Sequence, residues 1–338
     1  MDLFNIKSLL SERLGDDAVI PMADMSEYCS FKCGGKADLL VIAEGMDELR
    51  YALYVIAGAD EMFPSCGSCS GDKCSICESS EACSGCGREG KKPIPYMVIG
   101  NGSNILVRDG GYEGILIKLG EGFSEVEIDG TEVRAGASAL LSKVAKDAAK
   151  EGLTGFEFAS GIPGSTGGGL FMNAGAYGGE MKDVVKYVKA ISRDGMREYM
   201  LDVSELDLSY RHSIFGETGD IITEVVYGLE KGNIEEINEK MKELAGKRTS
   251  KQPLQYPSCG SFFKRPEGFF AGALIEGAGL KGLMVGGAQV SQLHAGFLIN
   301  KDNATATDVI NLMKLIQNTV YDKYGVKLTP EVRIIGRE

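Results

Sequence analysis

No apolar run approaches the ~20 residues a bilayer span needs; Leu39 to Ala43 is typical of the longer ones, in a chain of 338 residues. The start, Met1-Asp2-Leu3-Phe4-Asn5, lacks a basic segment followed by an apolar core, so no signal peptide is expected and the expected location is the cytoplasm. There is no tandem repeat, P-loop or G-x-S-x-G, which removes support for a P-loop NTPase or a nucleophile-elbow hydrolase. Histidine occurs twice and tryptophan not at all. Basic charge is also short: the formal net charge is -12, which argues against nucleic acid as a general partner.

Two motifs look more informative than they are. Gly85-Cys86-Gly87-Arg88-Glu89-Gly90 and Gly277-Ala278-Gly279-Leu280-Lys281-Gly282 match G-x-G-x-x-G. Neither sits between a strand and a helix as a dinucleotide fingerprint requires. Strands and helices also lack regular βαβ alternation, so the pattern reads as α+β. Helices are expected at 1–15, 46–57, 138–151, 233–247, 271–276 and 307–324. Strands are expected at 37–43, 97–99, 105–107, 115–119, 125–128, 132–135, 184–192, 221–229 and 331–335.

What is present is glycine, 46 residues of it, gathered in a few places. Gly100-Asn101-Gly102-Ser103-Asn104 follows a strand; backbone N–H groups there can converge on a diphosphate. Gly161-Ile162-Pro163-Gly164-Ser165-Thr166-Gly167-Gly168-Gly169, followed by Asn173-Ala174-Gly175-Ala176-Tyr177-Gly178, is costly in folding entropy. A flat flavin or nucleotide against bare backbone justifies it.

No Asp or Glu lies between Leu244 and Pro266, where Lys247, Arg248, Lys251, Lys264 and Arg265 form a basic island. Inside it, Ser258-Cys259-Gly260-Ser261-Phe262-Phe263-Lys264-Arg265 presents a small hydroxyl beside cations suited to a carboxylate or phosphate. Arg211, in Tyr210-Arg211-His212-Ser213, is either a carboxylate clamp or a surface ion pair. Glu331, just after Pro330, is either a catalytic acid or a strand-end charge.

These segments, with Phe31-Lys32-Cys33-Gly34-Gly35-Lys36-Ala37-Asp38, Leu280–Val290 and Pro330–Gly336, run through the chain in order. Together they resemble the UDP-N-acetylenolpyruvoylglucosamine reductase (MurB) family of peptidoglycan synthesis. The resemblance implies a vanillyl-alcohol-oxidase (PCMH-type) FAD-binding domain, then a smaller α+β substrate domain. The divisions are residues 1–30 as lead-in, 31–230 for FAD and 231–338 for substrate, in the compact form without an extra lid segment. It implies FAD bound noncovalently, NADPH as hydride donor in ping-pong turnover, and a UDP-sugar enolpyruvyl ether as the small-molecule substrate. It places Arg211, Ser261 and Glu331 on the catalytic positions, with Ser261 as proton donor. Gly100 to Asn104, Gly161 to Ser165, Gly168, Asn173, Gly175, Ala176 and Tyr177 fall on cofactor-binding positions, and Lys251, Lys264, Arg265, Lys281 and His294 on substrate positions. A monomer or weak oligomer is expected, with no membrane and no nucleic-acid partner. Rival readings are another FAD oxidoreductase on the same scaffold and a non-catalytic metal or redox sensor.

One feature lies outside the resemblance. Within a polar insertion at 64–92, Cys66, Cys69, Cys74, Cys77, Cys83 and Cys86 form three C-x-x-C pairs. In a reducing compartment such pairs point to metal. Structural zinc, an iron–sulfur centre and redox-active or free thiols remain open alternatives. Cys29, Cys33 and Cys259 are expected to be packing residues.

Overall fold

A computed structural model describes residues 2–57 and 94–338; the insertion with its six cysteines lies outside the described residues. The strand Lys36–Ala43 is nearly continuous in apolar residues. That pattern suits a strand covered on both faces, and it lies inside a four-stranded sheet. The order is Val19–Asp24, Lys36–Ala43, Tyr112–Leu119, Tyr96–Ile99. The first pair is antiparallel and the other two pairs are parallel.

A second sheet of five antiparallel strands runs Glu198–Asp202, Val185–Ile191, Ile221–Gly228, Glu132–Gly136, Val126–Asp129. The helices Met46–Ile56 and Leu141–Lys150 bury their apolar faces in the large core that serves both sheets. The strands Val19–Asp24 and Glu198–Asp202 were not expected from sequence. Pro21 interrupts the apolar stretch of the first, which demotes a strand pattern, and alternate residues of the second are exposed.

Asn233 opens the helix Ile234–Lys251 by accepting a hydrogen bond from the Glu236 N–H at 3.1 Å. This helix packs against the turn Glu157–Gly161 and the helix Leu141–Lys150. Beyond it, a three-stranded sheet (Met284–Val285, Ala288–Val290, Leu298–Asn300) carries the helices Ala271–Gly277 and Ala306–Tyr324. Thr305 and Asp308 close a reciprocal cap on the long helix, and Gly325 ends it in the left-handed conformation, φ 67°.

The core under this sheet is shared. Cys29, Phe31, Cys33 and Leu106 from the first part of the chain pack with Phe262, Ile275, Leu298 and Ile316. The last strand, Arg333–Ile335, returns to pair in parallel with Ile105–Val107. It begins two residues later than the sequence indicated, so Glu331 precedes the strand rather than starting it.

Candidate active site

The two glycine-rich segments meet face to face. A Cβ on Gly100 would lie 2.6 Å from Ser165 Oγ, and one on Gly102, at φ 63°, would lie 2.0 Å from the Tyr28 carbonyl oxygen. Asn101 Nδ2 donates to the Pro163 carbonyl at 2.8 Å. Between these segments and the second domain runs a cleft of about 1380 Å³. Small-ligand sites commonly occupy roughly 300–1,000 Å³, so this one has room for more than one bound molecule.

Gly100, Asn101, Gly102, Ser103 and Asn104 all line the cleft, as do Ile162, Pro163, Gly164, Ser165, Gly168, Gly175 and Ala176. Among the described residues, none of the backbone N–H groups of Gly100 to Asn104 has an acceptor within the protein. Five neighbouring orphan donors on a cleft wall form a nest for an anion such as a diphosphate.

Three expected cofactor residues stand apart. Gly161, Asn173 and Tyr177 do not line the cleft. Tyr177 is at the exposed tip of the small hairpin Gly175–Ala176 / Gly179–Glu180. Asn173 is fully buried, with its amide bonded inside the protein.

The structure brings Arg211, Ser261 and Glu331 together at the inner wall, although they are far apart in sequence. The segment after Gly260 is paired on both sides. Phe262 N donates to the Gly296 carbonyl at 2.9 Å, and Glu331 N donates to the Phe262 carbonyl at 2.8 Å. Ser261 and Glu331 therefore sit on neighbouring extended segments, joined by isolated bridges into one ribbon. Ser30 Oγ donates to the Ser258 carbonyl at 2.7 Å, and Asn104 Nδ2 donates to the Glu331 carbonyl at 3.1 Å. Both bonds tie the ribbon to the glycine-lined wall.

Arg211 Nε donates to Glu331 Oε1 at 2.5 Å. Both side chains are largely buried. Burial pushes the Glu331 carboxyl above its ordinary range, and the Arg211 and Lys264 charges pull it back. Arg211 itself has a left-handed backbone, φ 58°, a conformation that ordinary side chains rarely adopt.

The expected substrate residues are dispersed. Lys251, Lys264, Arg265, Lys281 and His294 do not line the cleft. Lys281 pairs with Glu276 at 2.9 Å, and Arg265 lies over the Phe270 ring, 4.0 Å from its centre. His294 Nδ1 accepts from Gly296 N at 3.0 Å, and burial lowers its pKa. Lys264 alone among them bears electrostatically on Glu331.

Six cations not assigned to the site from sequence also line the cleft, among them Arg248 of the basic island and Arg333. Burial lowers the pKa of both, and among the described residues neither has an ion-pair partner. A signal for Arg248 existed: Ile237, Leu244 and Arg248 share one helical face, and the first two are buried. Cys29, Cys33 and Cys259 are buried packing residues. The Cys259 thiol, pushed up to about 12 mainly by burial, is not a nucleophile at neutral pH.

A model of the UDP-N-acetylenolpyruvoylglucosamine reductase C-terminal domain matches residues 252–335, and one of an FAD binding domain matches residues 77–198. The UDP-N-acetylenolpyruvoylglucosamine reductase of Lactobacillus acidophilus is 52% identical over 100% of both chains. That of Alkaliphilus oremlandii is 45% identical, again over 100% of both. The crystal structure of UDP-N-acetylenolpyruvylglucosamine reductase (MurB) from Thermus caldophilus superposes with a TM-score of 0.73 at 31% identity, covering 94% of this chain and 98% of that one.

Proposed function

Since the chain belongs to the UDP-N-acetylenolpyruvoylglucosamine reductase family of FAD-dependent oxidoreductases, we propose that its cleft reduces the enolpyruvyl ether of UDP-N-acetylglucosamine, with NADPH as hydride donor and Arg211, Ser261 and Glu331 as the catalytic groups. The observation that carries the reading is the convergence of these three side chains on a wall adjoining five orphan backbone donors.

Gly100 to Asn104 would hold the FAD diphosphate on their N–H groups, and the absence of side chains at Gly164, Gly167 and Gly168 would let the flavin lie close. When bound, FAD would supply the hydride chemistry that links NADPH to the terminal carbon of the substrate double bond. The electron pair of that double bond then builds on the neighbouring carbon and its carboxylate. The Arg211 guanidinium, fixed by Glu331, faces that charge without having to reorganise. Ser261 Oγ gives its proton to the same carbon and completes the saturated ether. Arg248, half-buried, and Arg333, at the exposed start of the last strand, have no carboxylate partner among the described residues and offer charge to the anionic parts of the ligands.

The reading extends to the cytoplasm as location and to a monomer or weak oligomer; among the described residues no helix is long and apolar enough to cross a membrane. For the insertion we propose structural zinc on Cys66, Cys69, Cys74, Cys77, Cys83 and Cys86, from their spacing alone. Metal analysis of protein purified under reducing conditions is expected to find zinc; protein with neither zinc nor iron overturns that part.

The function is tested by visible spectroscopy under anaerobic conditions. Flavin bands should bleach on adding NADPH and return on adding the enolpyruvyl substrate. A protein that takes up no FAD, or whose reduced flavin ignores the substrate, contradicts the reading.

A further inference from the structure

Asn173 lies inside the glycine-rich segment, fully buried, at φ 42°. Asn tolerates that left-handed backbone better than most residues. Its side chain is saturated. Nδ2 donates to Glu180 Oε2 at 2.8 Å and to the Ser209 carbonyl at 3.0 Å, while Oδ1 accepts from Lys182 N at 3.0 Å. The Lys182 N–H can only meet an acceptor, which fixes which way the amide points. Both amide protons are then used, and none is left for a cofactor.

The Ser209 carbonyl is a telling partner, because Ser209 opens the tight turn that carries Arg211. Ser209 N donates to the His212 carbonyl at 3.3 Å, and His212 N donates back to the Ser209 carbonyl at 3.1 Å. The far side of the turn is held as well: buried Ser213 donates its Oγ to the Phe171 carbonyl at 2.8 Å. Phe171 and Asn173 are two residues apart, between Gly168 and Gly175, which line the cleft. The Arg211 turn thus hangs from the wall of the cofactor cleft by two side-chain hydrogen bonds. A turn with a non-glycine residue at positive φ holds its shape only when its surroundings over-determine it.

We infer that Asn173 is a positioning residue. It sets the Arg211 turn at the height of the flavin cleft, so that the guanidinium meets both Glu331 and the substrate. The inference rests on the role of Arg211 in the proposed function. A displacement of about 1 Å at such a group can cost ~10²-fold in rate.

The test is a double-mutant cycle on the holoenzyme. Asn173→Asp keeps the size, the tolerance for positive φ and the acceptor for Lys182, but removes the donors to Ser209 and Glu180 and sets a carboxylate against Glu180. Stopped-flow spectroscopy would follow flavin reduction by NADPH and flavin reoxidation by the enolpyruvyl substrate, in the wild type, Asn173→Asp, Arg211→Lys and the double variant. Flavin content and reduction by NADPH should be retained in Asn173→Asp, while reoxidation falls roughly ten- to hundredfold. The double variant should be little slower than Arg211→Lys alone, because the two residues act through one group. Equal losses in both half-reactions, or losses that multiply in the double variant, overturn the inference. If Arg211→Lys by itself leaves reoxidation unchanged, the assignment of Arg211 is what fails. Should Asn173→Asp lose its flavin on purification, Ser213→Ala, which cuts the other tether, carries the same cycle with the same criteria.

Discussion

Arg211 Nε meets Glu331 Oε1 at 2.5 Å across 120 residues of sequence. The pair bridges the two halves of the molecule: Arg211 is tethered to the glycine-rich wall, whereas Glu331 is paired through its backbone to the Ser261 ribbon. Its electrostatics give a pH dependence. Burial raises the Glu331 pKa above the ordinary ~4.3, and Arg211 opposes that rise. As pH falls, protonation neutralises Glu331 and frees Arg211, so reoxidation of flavin by substrate should slow on the acid side, with a midpoint above that of an exposed Glu. Arg211→Ala, which removes the opposing charge, should move Glu331's own titration higher still. Glu331→Gln should abolish the limb, and a pH profile of the half-reaction that keeps its limb in Glu331→Gln would sink the assignment.

Gly102 joins a positive φ to a close approach. A Cβ there would lie 2.0 Å from the Tyr28 carbonyl oxygen. Left-handed backbone costs a non-glycine residue about 1–2 kcal/mol, and the clash forces the loop to move as well. Gly102→Ala should therefore weaken FAD binding by roughly tenfold or more, measurable as retained flavin absorbance against a titration of added FAD. Gly130→Ala, where positive φ meets open space away from the cleft, should leave FAD binding unchanged.

The two domains are also clasped at Asp109. Its Oδ1 accepts from Ala306 N at 2.8 Å and its Oδ2 from Thr307 N at 2.8 Å. These are first-turn amides of the helix Ala306–Tyr324, which a carboxylate caps and whose dipole it complements. Asp109→Ala should cost about 1–2 kcal/mol, seen as a lower thermal midpoint. An unchanged midpoint would mean that Thr305 alone suffices as cap.

Much of this arrangement was legible in the residues. The glycine clusters marked the cleft wall because only a close ligand justifies so many unrestricted residues, and the ordered run of family segments carried FAD and the fold. The strands at 37–43 and 221–229 were readable because burial on both faces leaves an apolar run; Val19–Asp24 was not, because Pro21 breaks its apolar stretch. The basic island mixed two kinds of residue. Arg248 lines the cleft while Lys251, three positions on, ends the helix in solvent, and charge counting cannot separate them. The family resemblance places Asn173 among the cofactor-binding positions. Its true contacts, Ser209 and Glu180, depend on how distant segments fold back, which spacing does not encode.

Ser261 carries the central claim. It lies on the cleft beside the Glu331 segment, and the account gives it one task, donation of the proton that completes reduction. In Ser261→Ala, NADPH should still reduce the flavin at close to the wild-type rate, while reoxidation by the enolpyruvyl substrate should fall by roughly 10²–10⁴-fold, the usual worth of a positioned general acid. Equal loss of both half-reactions, or an unaffected second one, would contradict it.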